Sequence, residues 1–286
     1  MSVPARVLLD GLPIHLTSGY ALAPDGWDLA VPEPRSALVE YARRHGAADD
    51  TAYLGPAVAS LSGMVMGTTH AELHQRLDTL RARCAPGREA LLQWERYPGD
   101  VLWQMAVRLG GRFETRHQNG HGALYAVTLT GADPLALSAE LHEAGYDPTT
   151  GHQGIGVEFD LTFDLAFTGT AVSSMNLTNA GNMPSPPLWR IEGPVTDPVI
   201  ESLTTGEEIA TTADLSAGQE LWIDVGRRTA RLGAEDGTLR LDLIDEASTA
   251  WFDLTPGVNE VRLTGAGMTT GQTTLTARWR DARLPD

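Results

Sequence analysis

The sequence predicts a mainly β protein with one or two helices, divided into two domains. Three observations carry this. The 286 residues suit two domains of ordinary size. The 30 glycines and 17 prolines mark a turn-rich chain. Beyond Leu188, nine short apolar runs recur between turn signals in roughly a hundred residues, as in a β-sandwich.

In chain order, Val7 to Ile14 reads as strand, Asp-Gly turn, strand. Pro24, Pro32 and Pro34 then break a stretch expected to run as an ordered loop or arm reaching towards a neighbouring subunit. The capping box Thr69-His70-Ala71-Glu72 opens a helix with Leu73, Leu77 and Leu80 on one face, ended by Pro86-Gly87. A second helix is expected from Asp133-Pro134 through Leu137 and Leu141 to Gly145. Strands are expected over Ala90–Trp94, Val101–Leu109 and Gly122–Thr130.

From Ile155 to Ala171 the alternation is long. Val157, Phe159, Leu161, Phe163, Leu165 and Phe167 interleave with Glu158, Asp160, Thr162, Asp164, Ala166 and Thr168. Such a strand far exceeds the usual five to six or so residues. It either pairs laterally across subunits of a ring or bends to serve two sheets of one domain.

Asparagine, glycine and proline crowd Asn176 to Pro187, which sets the domain junction: residues 1–178, then 179–286. The later runs are Leu188–Ile191, Val199–Ile200, Glu207–Ala210, Glu220–Val225, Thr229–Leu232, Leu239–Leu243, Trp251–Leu254, Val261–Leu263 and Thr273–Trp279. Gly226-Arg227 reads as a two-residue hairpin turn, with the glycine supplying a positive φ.

A net charge of -16 argues against sequence-independent nucleic-acid binding, which depends on basic side chains releasing counterions at phosphates. It is compatible with a conduit through which DNA slides. All 21 basic residues are arginine, which favours bidentate pairing with carboxylates. Cys84 is the only cysteine, so no intrachain disulfide or multi-cysteine metal site is expected. The N-terminal residues do not read as a signal peptide, and no apolar run approaches a membrane span.

Candidate chemistry is sparse. His117 and His121 with Glu114 offer a weak metal set, though a solvated hairpin loop explains them more simply. His142, Glu143, Asp147 and His152 form a second cluster, and Glu158, Asp160 and Asp164 a third, where paired carboxylates could serve a glycan hydrolase. A hydrated strand face is the simpler reading. Trp189, Trp222, Trp251 and Trp279 could stack on sugars, but each falls in a strand pattern that predicts core. No nucleophile elbow, phosphate loop or dinucleotide fingerprint is present. Neither catalysis nor a cofactor nor a metal is expected.

The ordered set Asn179-Ala180-Gly181-Asn182, Pro186-Pro187, Ile191-Glu192-Gly193-Pro194, Asp197-Pro198, Thr205-Gly206, Leu221-Trp222-Ile223-Asp224, Arg228-Thr229, Trp251-Phe252-Asp253-Leu254 and Pro256-Gly257-Val258-Asn259 resembles the C-terminal domain of siphophage distal tail proteins. The first half resembles that family's ring-forming domain less specifically. The resemblance implies a ring-forming N-terminal β domain plus a galectin-like C-terminal sandwich. It also implies a structural, non-enzymatic role in the virion tail tip, assembled in the host cytoplasm. Six copies would form a ring joining the tail tube to the tail hub, with tube, tape-measure and hub proteins as partners. No membrane or sequence-specific nucleic-acid partner is implied, although genomic DNA would pass through the ring. The signature residues, Asn179, Gly181, Asn182, Pro187, Gly193, Pro194, Pro198, Gly206, Trp222, Asp224, Trp251, Phe252, Leu254, Gly257 and Asn259, read as folding residues. The alternative is a carbohydrate-binding module recognising host cell-wall glycans through its tryptophans.

Overall fold

The computed structural model describes residues 3–35, 39–40, 45, 47–48, 53–150 and 173–285. The chain divides into one unit of residues 1–140 with 282–286, and another of residues 141–281.

The first unit is built on an antiparallel sheet. Its strands are β1 (Arg6–Leu9), β2 (Leu12–Pro13), β3 (Tyr20–Ala30), β4 (Ala57–Met66), β5 (Glu89–Glu95), β6 (Trp103–Asn119) and β7 (Gly122–Gly131), in the spatial order β2-β1-β5-β6-β7-β4-β3. The expected first hairpin is present, with Asp10 and Gly11 both at positive φ, 51° and 76°, as a tight two-residue turn requires. The Asp10 carboxylate binds Arg83 at 2.7 Å and also Arg88. Hydrogen bonding from Arg83, with both guanidinium charges, holds its carboxyl below the usual range.

Alternation sorts the strand residues by face. Leu61, Val65, Leu92, Trp94, Met105, Val107, Tyr125 and Val127 are buried in one core with Leu73, Leu77 and Leu80 of the single α-helix of the described residues, α1 (His70–Arg83). Cys84, just past the helix, is buried there too, and desolvation pushes its thiol up to about 11, leaving an inert group. The Thr69 side chain accepts from the Glu72 amide at 3.2 Å, as a helix cap should. The reciprocal half of the box is displaced by one residue, since Glu72 accepts from the amide and hydroxyl of Thr68. Thr69→Ala is expected to cost about 1 kcal/mol in urea unfolding, while Thr69→Ser, which keeps the capping hydroxyl, should not destabilise.

No helix forms over Asp133–Gly145. Asp133 instead accepts from the Leu135 amide at 2.9 Å in an Asx turn, and Ala136–Ser138 becomes a strand. That strand, β8, pairs on one side with β6 and on the other with Ala282–Arg283. Long-range ladders on both sides outweigh a helical propensity that only a capping signal supported. Within the proline-punctuated stretch, Pro24 lies in a bulge of β3, and Pro34–Arg35 pairs with Tyr53–Leu54.

The second unit is a sandwich of two sheets. One has the order β9 (His142–Tyr146), β19 (Thr274–Trp279), β11 (Leu188–Glu192), β15 (Glu220–Asp224), β16 (Thr229–Leu232) and β17 (Thr238–Leu239). The other runs β10 (Met175–Asn179), β18 (Gly257–Ala266), β12 (Val195–Ser202) and β13 (Glu208–Ala210), with β14 (Asp214–Leu215) also on β12. Leu177, Trp189, Ile191, Ile200, Leu221, Ile223, Phe252, Leu263 and Leu275 form its core.

The division falls at residue 140/141 rather than 178/179, because β9 and β10 take edge places in the sandwich sheets. Two expected strands are not strands. Leu241–Leu243 is a 3₁₀ turn next to an exposed Arg240–Asp242 ion pair, and of Trp251–Leu254 only Leu254 bridges, to Ser185. The Asp224–Thr229 connection is a four-residue loop in which Arg228, not Gly226, takes the positive φ of 51°. The strand expected over Ile155–Ala171, with Val157, Phe159, Leu161, Phe163, Leu165 and Phe167, lies outside the described residues.

Candidate functional site

The signature residues hold turns and strand ends rather than converging on one cleft. Asn179, fully buried at the end of β10, donates to the carbonyls of Met183 (2.8 Å) and Leu254 (3.0 Å) and accepts from the Gly181 amide (3.0 Å). Asn182 follows in the same exposed loop. The Pro187 carbonyl accepts from Val225 at 3.2 Å. Gly193 and Pro194 share a cis peptide bond. A Cβ on Gly193 would lie 2.5 Å from the Ser216 carbonyl oxygen, so only glycine fits.

The Pro198 carbonyl accepts both the amide and the hydroxyl of Thr211. Gly206 takes a φ of 77° after a turn, and Gly257 one of 98° at the start of β18. Asp224 caps its loop by accepting from the Arg227 amide at 2.9 Å. Phe252 lies against Trp189 with ring centroids 5.9 Å apart, Leu254 is fully buried, and Trp251 is half-buried beside them. Asn259 closes the Thr255 turn by accepting from its amide and donating to its carbonyl.

Trp222 is the exception. Cross-strand register places Arg190, Trp222 and Arg231 in one row on the outer face of the six-stranded sheet. The Arg190 and Arg278 guanidiniums lie over the indole at 5.6 and 5.2 Å, and its N–H donates to Glu220 at 2.8 Å. Arg278 also binds Glu143 (2.6 Å) and Glu235 (3.3 Å). Beside this stack lies a cleft of about 630 Å³ bordered by Leu188, Trp222, Asp224, Arg231 and Glu235. Trp189 and Trp279 are core residues, as their strand pattern predicts, and Trp222 is only 7% exposed under its arginines.

The histidine clusters dissolve into separate roles. His142 contacts Asp281 at 3.1 Å, Glu143 pairs with Arg278, and Asp147 accepts from Thr149 and Gly271 in a turn. His152, Glu158, Asp160 and Asp164 lie outside the described residues. On β6, Thr115 bonds Arg81 of α1 and the His117 ring lies 5.3 Å from His74, so odd positions turn towards the helix. Glu114 and Arg116 border a cleft with Ser62 and Ala126 on the other face. Period-two alternation therefore separates Glu114 from His117. His121 lies in the hairpin turn just before β7, its carbonyl accepting from Gly67. Among the described residues no three His, Cys, Asp or Glu side chains are grouped as a metal site, and no helix is long and apolar enough to cross a membrane.

Residues 180–281 match the siphovirus-type tail component, C-terminal domain, family. That match lies within the second unit. No curated protein matches the chain. Its fold is also that of the SPP1 Dit protein, described as a paradigm of the hub adsorption apparatus in phages infecting Gram-positive bacteria. That likeness has a TM-score of 0.66 at 12% identity, over 97% of this chain and 98% of that one. Two structures of the phage P2 baseplate in its activated conformation, with Ca and with Sr, match at TM-scores of 0.44 and 0.46. Each has 10% identity and covers 87% of this chain and 90% of that chain. The likeness to SPP1 Dit is one of fold, and the signature residues of this chain other than Trp222 serve turns and core.

Proposed function

We propose that this protein is a distal tail protein, six copies of which close into a ring at the tail tip. The first unit forms the ring that continues the tail tube, and the sandwich serves as an outward docking platform. The observation that carries this reading is that the likeness to SPP1 Dit runs through both units, over 97% of the chain. Tube, tape-measure and hub proteins are the partners, and assembly takes place in the host cytoplasm before incorporation into the virion. The charge of -16 suits a wall past which DNA slides without sticking.

Glycan recognition draws less support, because Trp222, which borders a cleft, has its ring face taken by two guanidiniums. Light scattering on the concentrated protein and electron microscopy of purified tail tips test the ring. A hexameric mass and a six-fold annulus are expected. A chain that stays monomeric at high concentration, with no annulus in tail tips, would overturn the reading.

A further inference from the structure

The tip of the β6–β7 hairpin carries a motif that the tail-tip role does not use. Asn119 is the only asparagine of the sequence followed by glycine, Gly120. It ends β6 opposite Gly122, so Gly120 and His121 make the turn between them. The Asn119 carboxamide oxygen accepts from the His121 amide at 2.9 Å. That bond closes a ring through Gly120 and folds the carboxamide carbon back towards the Gly120 nitrogen. Asn119 and Gly120 are both exposed, and the Gly120 N–H has no acceptor among the described residues. A Cβ on Gly120 would meet nothing within 4 Å, so the nitrogen is unshielded. By contrast, Asn179 and Asn259 are buried with their carboxamides bonded, and precede Ala180 and Glu260.

We infer that Asn119 is a self-modification site, closing on Gly120 to a cyclic imide that opens to aspartate or isoaspartate. The Gly120 nitrogen attacks the Asn119 Cγ and loses its proton to solvent hydroxide. The bond from Cγ to Nδ2 breaks, and that nitrogen leaves as ammonia, taking its extra proton from water. One water then adds to either imide carbonyl, so carboxamide plus water becomes carboxylate plus ammonium, with no redox change. Negative charge develops on the carboxamide oxygen during the attack, where the His121 N–H already donates as an oxyanion donor would. Glycine next in sequence offers the least hindered nitrogen. Opening to isoaspartate puts one more carbon into the main chain ahead of His121, whose carbonyl accepts from Gly67 at 2.9 Å in the link between β4 and α1. The chemistry stands without the tail-tip reading. On that reading, copies locked in a finished particle are not replaced, so the change accumulates with the particle's age.

Peptide mapping of the full-length chain, aged in mildly alkaline buffer made with heavy-oxygen water, tests this. Aspartate and isoaspartate should both appear at Asn119, each labelled by heavy oxygen. Conversion in the folded chain should run about tenfold faster than in the same chain unfolded in guanidinium chloride, a smaller gain than an enclosed oxyanion donor gives. Gly120→Ala, whose methyl has open space and whose backbone needs no left-handed φ, should slow conversion at least about tenfold with circular dichroism unchanged. Hydrogen exchange at the Gly67 amide should quicken in the aged protein. Folded protein that converts no faster than the unfolded chain, Asn182 converting as fast as Asn119, or an unslowed Gly120→Ala would each overturn the inference.

Discussion

Replacing Gly63 with alanine is expected to strip β3 from the sheet of the first unit. Gly63 sits mid-strand in β4, opposite Leu22 on one side and Tyr125 on the other. A Cβ there would lie 1.8 Å from the Ala21 carbonyl oxygen and 3.0 Å from the Leu22 Cα, backbone atoms that no rotamer change can move aside. The approach is close because β3 bulges between Leu22 and Trp27 and lays its backbone on β4; Gly26 within the bulge would likewise place a Cβ 2.0 Å from the Ser62 oxygen. The variant must shift the ladder or release β3, exposing Tyr20, Trp27 and Leu29 from the core.

Either route should cost about 3–5 kcal/mol. Gly111→Ala is the control. Its new methyl would meet only the Thr128 side chain at an ordinary 3.5 Å, so a change within about 0.5 kcal/mol is expected. Urea unfolding measures both, and hydrogen exchange shows whether the β3 amides lose protection first. A Gly63→Ala protein within about 1 kcal/mol of wild type would contradict the close approach.

What the sequence made legible followed local rules. The Asp10-Gly11 turn, the Thr69 cap and the period-two strands around Trp94, Tyr125, Ile191 and Ile223 each carry their own signal within a few residues. The Gly226-Arg227 turn failed locally, but the larger failures involved distant partners. Asp133-Pro134 is a sound cap in isolation, yet Leu137 lies between β6 and the C-terminal Ala282, a pairing no local pattern could announce. Leu239, Leu241 and Leu243 alternate like a strand, but only Leu239 finds a partner, Arg231, before the chain turns.

The junction was misplaced for a related reason. Asn176 to Pro187 is rich in turn residues, and there β10 ends and the chain crosses to β11; β9 had already joined the sandwich far upstream.

Asn179 is where the order of residues in the sandwich translates most directly into stability. Its carboxamide both accepts from the Gly181 amide and donates to the Met183 and Leu254 carbonyls, in a site with no solvent exposure. Asn179→Ala strands the first two partners, whereas the Leu254 carbonyl keeps its bond from the Ser185 amide at 3.0 Å. The expected loss is about 1–2 kcal/mol, since the Gly181 amide and the Met183 carbonyl are part-buried and reach water more readily than fully buried groups.

Asn179→Asp separates hydrogen bonding from shape. It keeps the acceptor for Gly181 but turns a carboxylate oxygen towards two carbonyls, so its folded-state pKa rises above the unfolded value near 3.9. The protonated acid can donate to one carbonyl and the ionised one to neither. Stability of this variant is therefore greatest below the unfolded pKa and falls as pH rises through the folded one, whereas Asn179→Ala adds no pH dependence of its own. At pH 7.5 the aspartate variant should be the less stable of the two, and by pH 4.5 the gap should close or reverse. Urea midpoints for both variants at these two pH values decide it. An aspartate variant that gains stability relative to the alanine variant as pH rises would mean that this side chain does not donate to the two carbonyls.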